Sequence, residues 1–376
     1  MASVLFMLLL ACIVIFVLSY NGRFTKKQTI TILLVMILLL AGIGALIEPD
    51  MRYDLYRHYL MIDRTRYCEY SFSQFLLEGH SITDVNYKYT YVYNALVYII
   101  AKVLPNQALP FLVISISYGI FAYILVSEFG DVELNNRNIV LSFCASFVIM
   151  PYLYIYSNIR NPLAGAIVSL GLYCYYKHKK LTALIVCSIV AVLIHPIAAA
   201  ILPFIVLSKI RPGLIGVALT LFFPTIVSRI MERIMYSGGS DFLYRIAAKY
   251  YNYTVVRTDN QGRVFLYSTV IVLLIVVILS LQNKTPLITN NNNEYLHQMN
   301  NMIIWYSMFS LGYLQNYEMI VRLPYSIAFL SPVIIKQLFN KAIVMNKLQY
   351  VSIVASEVIL LFLALLGLYE NIAWLR

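Results

Sequence analysis

Apolar stretches long enough to cross a bilayer follow one another along this chain, near 3–20, 28–47, 108–127, 138–156, 160–176, 182–207, 213–230, 264–282, 299–317, 320–338 and 348–369, with a weaker one near 88–104. Roughly 20 apolar residues span the hydrocarbon as a helix, and backbone in lipid must satisfy its own hydrogen bonds. The pattern therefore predicts an all-α polytopic membrane protein with about 10–12 transmembrane helices, residues 1–376 forming one integral membrane domain. Only 12% of the residues are Asp, Glu, Lys or Arg, against about 25% in soluble domains. A water-soluble globule is excluded, and so is a single-pass anchor.

The balance is basic, with 28 Lys and Arg against 17 Asp and Glu. Most of that excess fits the bias of cytoplasmic loops toward positive charge, and the remainder is available to an anionic substrate. No basic stretch is long enough to track a phosphate backbone, so nucleic acid is not an expected partner. Cys12, Cys68, Cys144, Cys174 and Cys187 form no CxxC or Cys/His cluster, which leaves neither a disulfide framework nor a zinc site. The first apolar run lacks a basic leader and a small-residue cleavage site, and reads as a retained helix.

Basic residues gather at Arg23, Lys26 and Lys27, at Lys177, Lys179 and Lys180, at Lys209 and Arg211, and at Lys341 and Lys347. Placing all four groups on the cytoplasmic side demands an even number of crossings between each pair. Parity holds if 88–104 lies in the interface and 182–207 enters and returns, broken where His195-Pro196 removes a backbone donor. The alternative for 182–207 is one long tilted helix with a proline kink. In the re-entrant version the polar loops 48–87 and 231–263 face outward, as does the turn at Glu318.

Ionisable groups within apolar segments face a cavity or a partner. Arg160 opens an apolar helix, and a hairpin closing near residue 178 brings His195 to its level. Glu318 and Arg322, four residues apart, share a helix face. The stretch from Glu48 to Tyr59 alternates acids, bases and rings, with Arg52, Asp54, Tyr56 and Arg57 suited to sugar rings and phosphates. Arg245 is the matching candidate in the second outer loop. There is no DxD, Walker loop, GxSxG or HExxH, so no metal or cofactor is expected. Arginine forks facing outward suit a lipid phosphate.

With Asn158-Ile159-Arg160-Asn161-Pro162-Leu163-Ala164, the Tyr-Tyr-Lys-His-Lys-Lys turn at 175–180, Ala191-Val192-Leu193-Ile194-His195-Pro196, the Asp54, Tyr56 and Tyr59 stretch, and Glu318 with Arg322, the chain resembles the EpsG family of Wzy-type polysaccharide polymerases. It departs from the family's usual Arg-Gln pair after the isoleucine, having Asn161-Pro162 in that region. The resemblance implies a GT-C-like glycosyltransferase of the bacterial cytoplasmic membrane, with its active site facing outward. Its substrate would be an undecaprenyl-diphosphate-linked oligosaccharide, and its expected partners a chain-length regulator and a flippase. Arg160 and Arg322 would contact the diphosphate or glycan, and the acceptor base would be Glu318, His195 or Asp54, in that order, in an inverting displacement. The competing readings are a lipid-linked oligosaccharide flippase, disfavoured by the missing internal repeat, and an O-antigen ligase-like transferase using the same donor.

Overall fold

The computed structural model describes residues 25–49, 51, 54–78, 88–129, 139, 140, 142, 143, 150, 152–237, 240–251, 254, 293–313 and 316–336. Every element that can be named among them is helical. The expected spans at 3–20, 264–282 and 348–369, and most of 138–151, lie outside the described residues.

Helix α1 (Lys26–Leu46) starts at a capping box, in which the Gln28 amide donates to Thr25 Oγ1 and the Thr25 amide donates to Gln28 Oε1. It ends at an extended Ile47, close before Glu48-Pro49, where a residue preceding proline resists helical backbone. The Asp54–Arg66 and Phe72–Glu78 segments form α2 and α3, Tyr91–Val103 forms α4 and Ala108–Phe129 forms α5. Among the described residues, α1 and α5 are long and apolar enough to cross a membrane. They pack together closely at Gly44, where a Cβ would meet Ile114 Cδ1.

The polar stretch 48–87 was expected as loop, and much of it is helix instead. Asp54, Leu55, His58, Met61, Ile62 and Thr65 share a helical period, and the last five are buried. Arg66 fastens α2 to the end of α4, its Nε donating to the Ala101 carbonyl (3.1 Å) and one Nη to the Leu104 carbonyl (3.1 Å). These are carbonyls that a helix terminus leaves unsatisfied.

After α6 (Tyr152–Ser157) come α7 (Arg160–His178) and α8 (Leu181–Ile194), antiparallel about Lys179, whose φ of 56° makes the turn left-handed. Gly171 sets their spacing, because a Cβ there would stand 2.7 Å from that of Cys187. At 14 residues, α8 rises roughly 21 Å, short of the ~30 Å hydrocarbon. His195 then adopts extended backbone, Pro196–Ile201 forms a 3₁₀ turn packed on α7 and α8, and α9 (Pro203–Leu207) follows. Of the two expectations for 182–207, the continuous kinked helix is therefore not found.

The remaining elements are α10 (Leu214–Tyr236), α11 (Asp241–Tyr251), α12 (Asn293–Leu311), α13 (Tyr317–Arg322) and α14 (Tyr325–Ala328), with a last helical turn at 331–336. The apolar run 320–338 was expected to span as one helix. It is interrupted after Arg322, where Leu323 and Pro324 form a turn, and again at 329–330. A second charged centre ties α5, α7, α12 and the 331–336 turn together. Glu128, fully buried, lies 3.0 Å from Lys177 Nζ and 3.3 Å from Lys336 Nζ, and accepts from the hydroxyls of Tyr173 and Tyr295.

Candidate functional site

Arg160 occupies the first position of α7 and is only 8% exposed. Its guanidinium carbon lies 5.5 Å from the ring centroid of Tyr93 on α4, within cation–π range. The same tyrosine ring meets His58 of α2 edge-on, at 5.2 Å between centroids and 64° between planes. His58 Nε2 stands 3.2 Å from Asp54 Oδ2, one helical turn earlier. Three helices thus supply a continuous sequence of contacts from a guanidinium, over a tyrosine, through an imidazole to a carboxylate.

Arg322 joins this group because α7 accepts α14 at very short range. A Cβ on Gly165 would stand 2.6 Å from the Tyr325 carbonyl oxygen, an approach that only a residue without a side chain permits. Ser169 Oγ donates to the Ser326 carbonyl at 2.9 Å. Asn161 Nδ2 donates to Tyr154 Oη (3.0 Å) and to the Arg322 carbonyl (3.4 Å). The Tyr154 and Tyr325 rings stack at 4.1 Å and 6°. These contacts dock the start of α7 against the end of α13, so that both arginines act electrostatically on Asp54.

Burial pushes the Asp54 carboxyl up, but the close approach of His58 and the charges of Arg160 and Arg322 outweigh it and hold the group well below the usual carboxylate range. Burial pushes His58 down, helped by Arg160 and Arg57 against the upward pull of Asp54. The pair is an ionised carboxylate with the buried His58 ring beside it, Nε2 at 3.2 Å from Oδ2. The amino end of α7, where Arg160 sits, adds the favourable potential that a helix terminus offers an anion.

His195 acts locally as a helix cap: its Nδ1 accepts from the Ile197 amide at 3.2 Å. An accepting Nδ1 assigns the proton of the neutral ring to Nε2, so the side chain presents a donor while this contact lasts. Eight residues on from the Gly171–Cys187 contact, position 195 falls opposite position 163, within the first turn of α7.

The other expected site residues divide. Tyr56 is half-buried and Arg57 is exposed, both on α2. Arg245 enters a separate exposed network, its Nε donating to Asp241 Oδ1 (2.8 Å) while Lys88 Nζ and Tyr89 Oη donate to Asp241 Oδ2. Arg52 and the side chain of Glu318 lie outside the described residues, although the Glu318 backbone is on α13, one turn before Arg322. Sequence reasoning missed His58 and Tyr93. The i, i+4 spacing of Asp54 and His58 was a readable clue once 54–66 is taken as a helix. Tyr93 carried no mark, being one of 32 tyrosines.

Among the described residues every named element is helical, two helices are long and apolar enough to cross a membrane, and a buried arginine lies near a partly exposed carboxylate. The family model of the EpsG family matches residues 29–375. The chain belongs to the EpsG family, a Wzy-type polysaccharide polymerase family whose members are membrane proteins. No curated protein and no solved structure matches it.

Proposed function

We propose that the chain polymerises lipid-linked oligosaccharide repeat units, moving the growing glycan from undecaprenyl diphosphate to the next lipid-linked unit at the outer leaflet of the bacterial cytoplasmic membrane. The observation that carries this reading is the docking of α7 on α13 and α14, which brings the start of α7, with Arg160, against the end of α13, with Arg322. Guanidinium forks bind phosphate oxygens in pairs and stay charged.

In this reading the acceptor hydroxyl oxygen attacks the anomeric carbon from the face opposite the diphosphate. The bond from that carbon to the phosphate oxygen breaks, the diphosphate leaves with the electron pair, and the acceptor proton passes to a carboxylate. Arg160 and Arg322 stabilise the charge that grows on the leaving diphosphate. The activated lipid diphosphate supplies the driving force, and metal-independent transfer is part of the proposal.

The local chemistry ranks the three candidate bases. Asp54, held strongly ionised, is a weak proton acceptor and serves as the counter-ion that keeps two like-charged arginines together. His195, with Nδ1 engaged, donates a hydrogen bond from Nε2 to a substrate oxygen. Glu318 is the base, one helical turn from Arg322. Tyr56 and Arg57 line the approach of the glycan, with Arg52 and Arg245 as further contacts. A GT-C-like polytopic arrangement with 182–207 re-entrant places this end of α7 outward, where a flippase delivers repeat units and a chain-length regulator limits the product.

The test is to mix purified protein with synthetic polyprenyl-diphosphate-linked repeat units, with chelator and without nucleotide sugar, and to separate the products on a gel. A ladder of lipid-linked multimers is expected. A cognate repeat that yields none, yet is transferred to an acceptor lipid or moved across a liposome membrane, would replace the reading with a ligase or a flippase.

A further inference from the structure

We infer, resting on the polymerase reading above, that the cavity between α2 and the turn from α4 to α5 is a glycan subsite, which takes uncharged sugar residues of the oligosaccharide at a distance from its diphosphate.

The cavity has a volume of about 510 Å³, opens to the surface, and is lined by Tyr59, Arg66, Leu104, Pro105, Asn106 and Gln107. Small-molecule sites commonly measure roughly 300–1,000 Å³. Tyr59 and Arg66 follow Asp54 on the same helix, and at 1.5 Å per residue the cavity lies about 8 to 18 Å along α2 from that carboxylate. An oligosaccharide held by its diphosphate at the start of α7 can reach so far. The walls are fixed before any ligand arrives. Leu104 is extended ahead of Pro105, and the turn closes as the Ala108 and Leu109 amides donate to the Pro105 and Asn106 carbonyls. Lys102 Nζ donates to the Arg66 carbonyl at 3.2 Å. A site held in this way loses little freedom when it binds.

The chemistry of the lining selects the ligand. The Arg66 guanidinium is spent within the protein: Nε donates to the Ala101 carbonyl, Nη1 to Asp63 Oδ1, and Nη2 to the Leu104 carbonyl and Asn106 Oδ1. Its charge is matched by Asp63 at 2.9 Å, so the cavity is not built for an anion. Asn106 is turned by the same network, its Nδ2 donating to Asp63 Oδ1, and it retains a donor and an acceptor position. Gln107 adds an exposed amide. Amides that both donate and accept match the hydroxyls of a sugar, which do the same. Tyr59 supplies a ring to the wall, and its hydroxyl, out of solvent, has no hydrogen-bond partner among the described residues. A sugar hydroxyl within reach would satisfy it.

The test measures binding without catalysis. Purified protein in detergent is titrated with oligosaccharides of one and of several repeat units, cut from the polysaccharide of the producing strain and free of lipid and diphosphate. Gln107→Trp, which fills the cavity from an exposed position, is expected to weaken binding by about tenfold or more, while Leu77→Trp, a like addition at an exposed position on α3 outside the cavity, leaves it unchanged. No binding of either oligosaccharide, or equal binding by wild type and Gln107→Trp, overturns the inference. If Gln107→Trp does not accumulate, Tyr59→Phe decides: a loss of about twofold to tenfold supports the subsite, and wild-type binding overturns it. Tighter binding of the longer oligosaccharide supports the subsite and assigns it to the growing chain, and equal binding of both supports it and assigns it to the incoming repeat unit. Displacement of either by inorganic diphosphate gives the cavity to an anion and overturns the assignment to uncharged sugar. If wild type binds as expected yet makes no ladder from lipid-linked repeats, the polymerase reading fails and the subsite stands. A ladder without such binding leaves the polymerase and overturns the subsite.

Discussion

Gly165 and Tyr325 approach so closely that a Cβ on the glycine would stand 2.6 Å from the tyrosine's carbonyl oxygen. The opposing atom is backbone and cannot swing aside, so even alanine must push α14 away from α7. Gly165→Ala is expected to lower stability by about 1–3 kcal/mol, the usual cost of overpacking. It also draws Arg322 from Arg160, so glycan polymer should fall more steeply than the melting temperature in detergent. A Gly165→Ala protein with wild-type polymer would show that the spacing of α7 and α14 does not govern the site.

Arg160→Ala should abolish long-chain glycan while the protein remains in the membrane. Arg322→Lys tests a finer point, because lysine keeps the charge and loses the fork. It should leave well under a tenth of wild-type multimer. Full activity with lysine would reduce Arg322 to a point charge.

Glu128 makes a prediction about stability alone. Replacing it with Gln leaves Lys177 and Lys336 beside each other, without the carboxylate they share. Breaking a buried ion pair from one side typically costs about 3–5 kcal/mol, so the melting temperature should drop sharply. Adding Lys336→Met should restore part of the loss, and the double-mutant cycle measures the coupling. No drop in Glu128→Gln would mean that the cluster contributes nothing net.

The pH dependence follows from His58. Burial, Arg160 and Arg57 hold its imidazole below the ordinary 6.5, while the unfolded chain takes up a proton at that value. The unfolded state therefore binds more protons below pH 6.5, and this contribution to stability, complete above it, is lost as the pH falls further, by up to about 1.4 kcal/mol per unit. Asp54 stays ionised throughout, being held far below the carboxylate range. Wild-type protein should lose more melting temperature between neutral pH and mild acid than His58→Gln does. Parallel curves for the two would sink this assignment.

The break at His195 predicts sidedness. Cysteines placed at Lys179 and Lys209 in a cysteine-free background should react with an impermeant thiol reagent from the same, cytoplasmic side. Labelling from opposite sides would make 182–207 a crossing segment.

Much of this is legible in the sequence, for local reasons. Apolar runs of membrane length specify helices because backbone out of water must bond to itself. Pro196 ends α8 at His195 through the donor it lacks and the restriction it places on the residue before it. The facing of α7 and α8 followed from where basic residues gather, and it placed Arg160 and His195 at one level. The polar stretch at 48–87 misled, because charge density reads as loop while the period of Leu55, His58, Met61, Ile62 and Thr65 makes a half-buried helix. What only the tertiary structure decided is which residues complete the site. His58 needs Tyr93 from α4, Tyr93 needs Arg160 from α7, and the end of α13 reaches α7 through Asn161, 161 residues before Arg322, and through Gly165 against Tyr325. Helical period and proline act within a few residues and leave a pattern in the sequence, whereas contacts between distant helices depend on close packing that no local pattern encodes.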